Sequence, residues 1–137
     1  MSLHHVGLLV KDIEKRAKFY TQRLGYEIRS DVVHDPVQTA FVQFLKLPAD
    51  SSYLELISPD GPQSKLANAL GKGQALNHIC YATADIEAQF SELRANGLFA
   101  VAAPVPGVAF GGRKIAWLAG SDRMLMELVE RGQPGQL

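Results

Sequence analysis

The stretch LHHVGLLVKDIE near the start of the chain returns in altered form as LNHICYATADIE in its middle. Leu3, His5, Asp12, Ile13 and Glu14 recur as Leu76, His78, Asp85, Ile86 and Glu87, each 73 positions later. A chain of 137 residues fits one domain, or two small halves sharing a core. The repeat marks two halves, and histidine is among the residues that both of them keep.

Each half reads the same way. LHHVGLLV is a strand, and Asp12 then offers an N-cap to a helix whose apolar stripe is Ile13, Ala17, Tyr20 and Leu24. Gly25 stands where a left-handed cap ends a helix. YEIRSDVV, QTAFVQFLK and SYLELI follow as three strands, and His34 falls in the loop between the first two. In the second half LNHICYAT is a strand, Asp85 caps a helix with the stripe Ile86, Phe90 and Leu93, and Gly97 ends it. LFAVAAP, RKIAWLAG and RMLMELVE are its three further strands. The plan is strand-helix-strand-strand-strand, written twice. The modules span residues 3–57 and 76–130, and the linker 58–75 carries a short helix around Lys65–Leu70. RGQPGQL reads as a frayed tail.

Certain polar residues are out of place on these strands. Alternation puts His5, Gly7 and Leu9 on one face of the first strand, with His4 on the other, and puts His78 on a face with Cys80 and Ala82. YLELI sets Glu55 between leucines, and LMELV sets Glu127 between a methionine and a leucine. A carboxylate on an apolar strand must be paired, hydrogen-bonded, neutralised or bound to metal. Glu55 follows His5 by 50 positions and Glu127 follows His78 by 49. A lone histidine on a strand is ordinarily a hydrogen-bonded core or surface residue, and a lone glutamate ordinarily faces water. Four such residues at repeated positions point elsewhere. If the halves pack about a pseudo-two-fold axis, two His/Glu pairs converge into a mixed N/O set. That set suits Zn²⁺, Ni²⁺, Co²⁺, Fe²⁺ or Mn²⁺.

Composition excludes other classes. Apolar residues make up 47% and charged residues 20%, as in ordinary globular proteins. Fourteen basic residues balance fourteen acidic ones, so no broad footprint for nucleic acid or an anionic membrane exists. No apolar run approaches ~18 residues, and the first ten lack the basic start of a secretory signal. Cys80 is the one cysteine, so no intrachain disulfide forms, and a cytoplasmic setting is expected. Cys80 is expected to be a small buried hydrophobe. Trp117, Phe41 and Phe44 read as core residues, while Lys65 and Lys72 read as solvated charges.

The segments LHHVGLLVKDIEKRAKFYTQRLGYEI, ELISPDGPQSKLANAL, LNHICYATADIEAQFSELRANGL, FGGRKIAWL and LMELVE, in this order, resemble the vicinal oxygen chelate superfamily. That superfamily includes glyoxalase I, methylmalonyl-CoA epimerase, extradiol dioxygenases and antibiotic-resistance proteins. The resemblance implies an α+β fold of paired βαβββ modules forming a cup-shaped mixed sheet around one divalent metal. It carries the ligands onto His5, Glu55, His78 and Glu127. It also implies proton transfer next to a carbonyl through a metal-stabilised enolate, with Glu127 as first choice of base and Glu55 as second. Phe110-Gly111-Gly112-Arg113 resembles a substrate-facing loop, with Arg113 available to a carboxylate or phosphate; a hairpin turn with a solvated arginine is the alternative. The linker and this loop resemble the epimerase branch, whereas Ala119-Gly120-Ser121-Asp122 departs from its His-Pro-Lys stretch, and around Pro36–Ala40 only Gln38 stands near the place of a non-ligand base. The expected substrate is an acyl thioester or a glutathione adduct, turned over by an epimerase-like or a lactoylglutathione lyase-like reaction. The alternatives are a small-molecule binding or resistance protein and a dioxygenase. Relatives of this size usually form homodimers, so a homodimer is expected here.

Overall fold

The computed structural model describes all residues from Met1 to Leu137. They form a mixed α+β structure of nine strands and three α-helices. The chain divides into two compact units: His5–Asn77, and His78–Leu137 together with Met1–His4.

The first unit takes β1 (Ser2–Leu9) from His5 onward, then α1 (Ile13–Leu24), β2 (Glu27–Ile28), β3 (Val33–Asp35), β4 (Ala40–Lys46) and β5 (Tyr53–Pro59). The sheet runs β2-β4-β5-β1, with β3 also on β4. β1 lies parallel to β5, and the other pairings are antiparallel. A short helix α2 (Ala67–Gly71) closes the unit. Asp12 starts α1 as expected: its backbone is extended and its carboxylate accepts the Lys15 N–H at 3.0 Å. Gly25 ends the helix at φ +78°, a left-handed conformation that costs glycine nothing. Ile13 and Ala17 are buried and Tyr20 packs at the margin, but Leu24 is 50% exposed in the final turn, so the buried stripe is shorter than expected.

The stretch YEIRSDVV forms two short strands and not one. Between them the Ser30 hydroxyl accepts the Phe44 N–H at 2.9 Å, replacing a ladder carbonyl. The Ser30 carbonyl accepts from the Gln43 side chain. His34 therefore lies within β3, not in a loop, and pairs with Asp60 at 2.9 Å.

The second unit repeats the plan: β6 (Leu76–Thr83) from His78 onward, α3 (Ile86–Ala95), β7 (Phe99–Pro106), β8 (Lys114–Ala119) and β9 (Leu125–Glu130). Its sheet runs β6-β9-β8-β7, with β6 parallel to β9 and the rest antiparallel. Asp85 caps α3 by accepting the Ala88 N–H at 3.0 Å, and Gly97 follows at φ +96°. The stripe Ile86, Phe90 and Leu93 is buried as expected.

Each helix packs on one face of its own sheet. α1 covers Leu45, Leu54 and Leu56, and α3 covers Ala116, Leu118 and Leu128. Leu45, Leu56, Leu118 and Leu128 are fully buried, and each such leucine contributes roughly 1.5–3 kcal/mol. Because strand side chains alternate, covering one face with the helix assigns every second residue to the opposite face. The unexpected polar residues lie there.

Candidate metal centre

In the first unit the face away from α1 carries His5, Gly7 and Leu9 from β1, Tyr53, Glu55 and Ile57 from β5, and Val42 and Phe44 from β4. Gly7 and Phe44 are the register neighbours of Glu55 on either side. His5 Nε2 stands 3.1 Å from Glu55 Oε2. His5 is 0% exposed and Glu55 5%. Phe44 meets the His5 ring edge-on, with centroids 5.2 Å apart at 80°.

The second unit builds the same arrangement. On the face away from α3, Cys80 and Trp117 flank Glu127 in register, and His78 lies two residues before Cys80. His78 Nε2 stands 3.2 Å from Glu127 Oε2. Both are almost fully buried, at 2% and 3%. Trp117 meets the His78 ring edge-on, with centroids 4.9 Å apart at 80°.

The donor chemistry of each pair fits a divalent ion. An imidazole nitrogen and a carboxylate oxygen, each held ~2.1 Å from one ion, lie about 3.0–3.4 Å apart at the angles of tetrahedral or octahedral sites. The separations within the two pairs fall in that range. Burying an ionised carboxylate is costly, and a cation shared by an imidazole and a carboxylate would offset that cost.

The other residues singled out in the sequence belong to neither His/Glu pair. Gly111 and Gly112 sit at φ +63° and +88° in the turn that follows a 3₁₀ turn at Val108–Phe110, a conformation that demands glycine. Arg113 packs over the Phe110 ring and donates Nε–H to the Phe110 carbonyl at 3.2 Å. It also donates to the Glu130 carbonyl at 2.9 Å and to the main-chain oxygen of Leu137. Residues 131–137 form no helix or strand, and their last residue lies against this arginine. His4 packs edge-on against Phe110. Cys80 is a fully buried thiol, as expected. Phe41 is 36% exposed and stacks beside His34, so it is not core.

Sequence reading placed Phe44 and Trp117 in the core and missed that each walls a His/Glu pair. The signal was present: Phe44 precedes Glu55 by 11 positions and Trp117 precedes Glu127 by 10, so each hairpin sets an aromatic ring opposite its glutamate.

A family model described as Glyoxalase/Bleomycin resistance protein/Dioxygenase superfamily matches residues 4–117. The chain is 31% identical over 122 residues to the ethylmalonyl-CoA/methylmalonyl-CoA epimerase of Cereibacter sphaeroides, covering 88% of this chain and 89% of that protein. It is 35% identical over 94 residues to the mitochondrial methylmalonyl-CoA epimerase of Homo sapiens, covering 67% of this chain and 52% of that protein. Among solved structures, a variant of Streptomyces coelicolor methylmalonyl-CoA epimerase in complex with 2-nitronate-propionyl-CoA is similar with a TM-score of 0.84. That match has 27% identity and covers 97% of this chain and 99% of that one. Methylmalonyl-CoA epimerase from Mycobacterium tuberculosis is similar with a TM-score of 0.85 and 25% identity, covering 96% of this chain and 89% of that one.

Proposed function

The chain belongs to the glyoxalase/bleomycin resistance protein/dioxygenase superfamily, and from that premise we propose that it is a metal-dependent epimerase of methylmalonyl-CoA-type acyl thioesters. The observation that carries this reading is the doubled arrangement of a buried histidine on a parallel strand pair, 3.1–3.2 Å from a buried glutamate. The similarity to two epimerases named for such thioesters supports the substrate class.

His5, Glu55, His78 and Glu127 would together hold one divalent ion, of zinc, nickel, cobalt, iron or manganese. When bound, the ion supplies positive charge that offsets the negative charge developing on the thioester oxygen as the neighbouring proton leaves. The protein's own part is the proton. Glu127, starting ionised, would take it from the carbon between the two carbonyl groups, and Glu55, starting protonated, would give one from the other side; the centre inverts, and proton exchange with solvent resets the two groups. Both carboxylates are buried, which excludes bulk water from the proton path. Gly111 and Gly112 border the acyl group as a tight turn. Arg113, already shared among three main-chain oxygens, would contribute its charge to the substrate's anionic groups more than new hydrogen bonds.

A lactoylglutathione lyase-like reaction uses the same order of ligands and is the second reading. No helix is long and apolar enough to cross a membrane. We place the protein in the cytoplasm, with no nucleic-acid or membrane partner, as a homodimer in which residues 1–137 of each copy form one domain.

Metal-loaded protein incubated with one epimer of methylmalonyl-CoA in D₂O tests the reading. Interconversion with deuterium at the epimerised carbon is expected. Tight ligand binding without exchange would mark a binding protein. Conversion of the methylglyoxal–glutathione hemithioacetal alone would mark the lyase.

A further inference from the structure

A cleft of about 640 Å³ lies in the first unit, between the start of α1 and the linker that follows α2. The approach to α1 and its first turns contribute Lys11, Lys15 and Arg16, and the linker contributes Gly73 and Ala75. The Leu9 N–H donates to the Ala75 carbonyl at 2.7 Å, which joins the linker to the end of β1. Neither His5 nor Glu55 lines this cleft.

Fourteen basic residues balance fourteen acidic ones over the whole chain, yet this cleft gathers three cations and one carboxylate. That carboxylate, Asp12, is occupied as the cap of α1. Lys18, outside the cleft, is paired with Glu14 at 3.2 Å; Lys11, Lys15 and Arg16 have no such partner. Cations at the start of a helix oppose its dipole, and like charges around one hollow repel. The second repeat shows that the helix does not need them. It begins α3 with the same aspartate cap. The positions 73 residues after Lys11, Lys15 and Arg16 hold Ala84, Ala88 and Gln89, and Glu92 stands where the first repeat has Phe19. The cations therefore serve something other than the fold they share.

We propose that this cleft binds a phosphate-bearing ligand with an apolar or aromatic body, of the kind a nucleotide presents. Its volume is that of a small-molecule site and is far more than a bare phosphate ion fills. The Arg16 guanidinium lies over the Phe19 ring, 5.4 Å from its centroid, which steadies its planar fork for bidentate contact with phosphate. Phe19 is 44% exposed and, with Leu70, gives the cleft apolar surface for the body of the ligand. Lys11, Lys15 and Arg16 meet its phosphates through charge-assisted hydrogen bonds. Two sources carry this chemistry: the nucleotide end of a coenzyme A thioester, and a free nucleotide that acts apart from the reaction.

Adenosine 3′,5′-bisphosphate is the probe and adenosine its phosphate-free control, followed by calorimetry and by ¹⁵N–¹H spectra of the full chain. The bisphosphate should bind at millimolar concentration or below, move the amide resonances of residues 9–19 and 70–75, and bind more weakly as salt is added. Adenosine should do none of this. The combined variant Lys11→Ala, Lys15→Ala and Arg16→Gln takes each replacement from the matching place in the second repeat. It should bind the bisphosphate at least about tenfold more weakly, with an unchanged far-ultraviolet circular dichroism spectrum. No binding by the wild type overturns the site, as does equal binding by the variant. Resonance changes confined to the His/Glu strands overturn it whether or not the variant folds. If the bisphosphate raises the KM for methylmalonyl-CoA in the wild type and not in the variant, the site takes the nucleotide end of the substrate. If it binds without moving that KM, the site takes a free nucleotide. Binding needs no turnover, so a chain that binds the bisphosphate and epimerises nothing keeps this site and loses the proposed function.

Discussion

Asp12 and Asp85 perform one task in the two units with the same geometry. Each holds an extended backbone, and each carboxylate accepts the N–H three residues on at 3.0 Å. Each also sits at the point where the histidine strand turns into the helix that covers its sheet. Asp12→Ala and Asp85→Ala should each cost about 1 kcal/mol by urea denaturation. Either substitution should leave the affinity for metal unchanged, since neither carboxylate lies on the His/Glu face.

Metal content follows directly from the two buried pairs. His5→Ala and His78→Ala should each cut the bound metal of untagged protein well below one ion per chain by elemental analysis. Full retention in both variants would remove the proposed site.

The glutamates separate ligand from base. Glu127→Gln should lower deuterium exchange by at least about a hundredfold while keeping metal, because an amide oxygen can still coordinate but cannot take a proton at this pH. Glu55→Gln should cause a comparable loss in a two-base epimerase. A much smaller loss there would leave Glu127 acting alone.

Arg113 joins residue 137 to the second sheet by donating to the Glu130 carbonyl and to the main-chain oxygen of Leu137. Arg113→Ala should cost about 1–3 kcal/mol. It should also let carboxypeptidase trim residues 131–137 sooner, as read by mass spectrometry.

A homodimer has a surface available on β7. This strand ends its sheet, pairing only with β8 in its unit, and exposes Phe99, Val101 and Val105, each roughly half exposed or more. Light scattering should give twice the chain mass, and Val101→Glu should shift it toward the monomer if β7 forms the interface.

Much of this architecture could be read from the residues. The repeat gave both helices, because an N-cap, an apolar stripe and a closing glycine are local signals that act within a dozen residues. The polar residues of each site were legible for the opposite reason: histidine and glutamate stand out on strands that are otherwise apolar. Three features were not legible. The break in YEIRSDVV depends on the Ser30 hydroxyl meeting the Phe44 N–H, a contact across the sheet that no local pattern reports. The meeting of the tail with Arg113 joins residues 24 positions apart, beyond the reach of any local pattern. Phe44 and Trp117 have the composition of core residues, and only the hairpin register sets them beside the histidines.

The unequal walls have a consequence for observing the molecule itself. Tyr20, Tyr26 and Tyr53 belong to the first unit, while the second holds Tyr81 and the only indole, set against His78. Emission excited at the red edge of absorption therefore reports on one half of the chain and is silent on the other. Far-ultraviolet circular dichroism reports on both halves. If residues 1–137 fold cooperatively as one domain, the two signals lose their native values at the same denaturant concentration. If they part, the gap between the curves measures how much stability each copy of the repeat holds without the other.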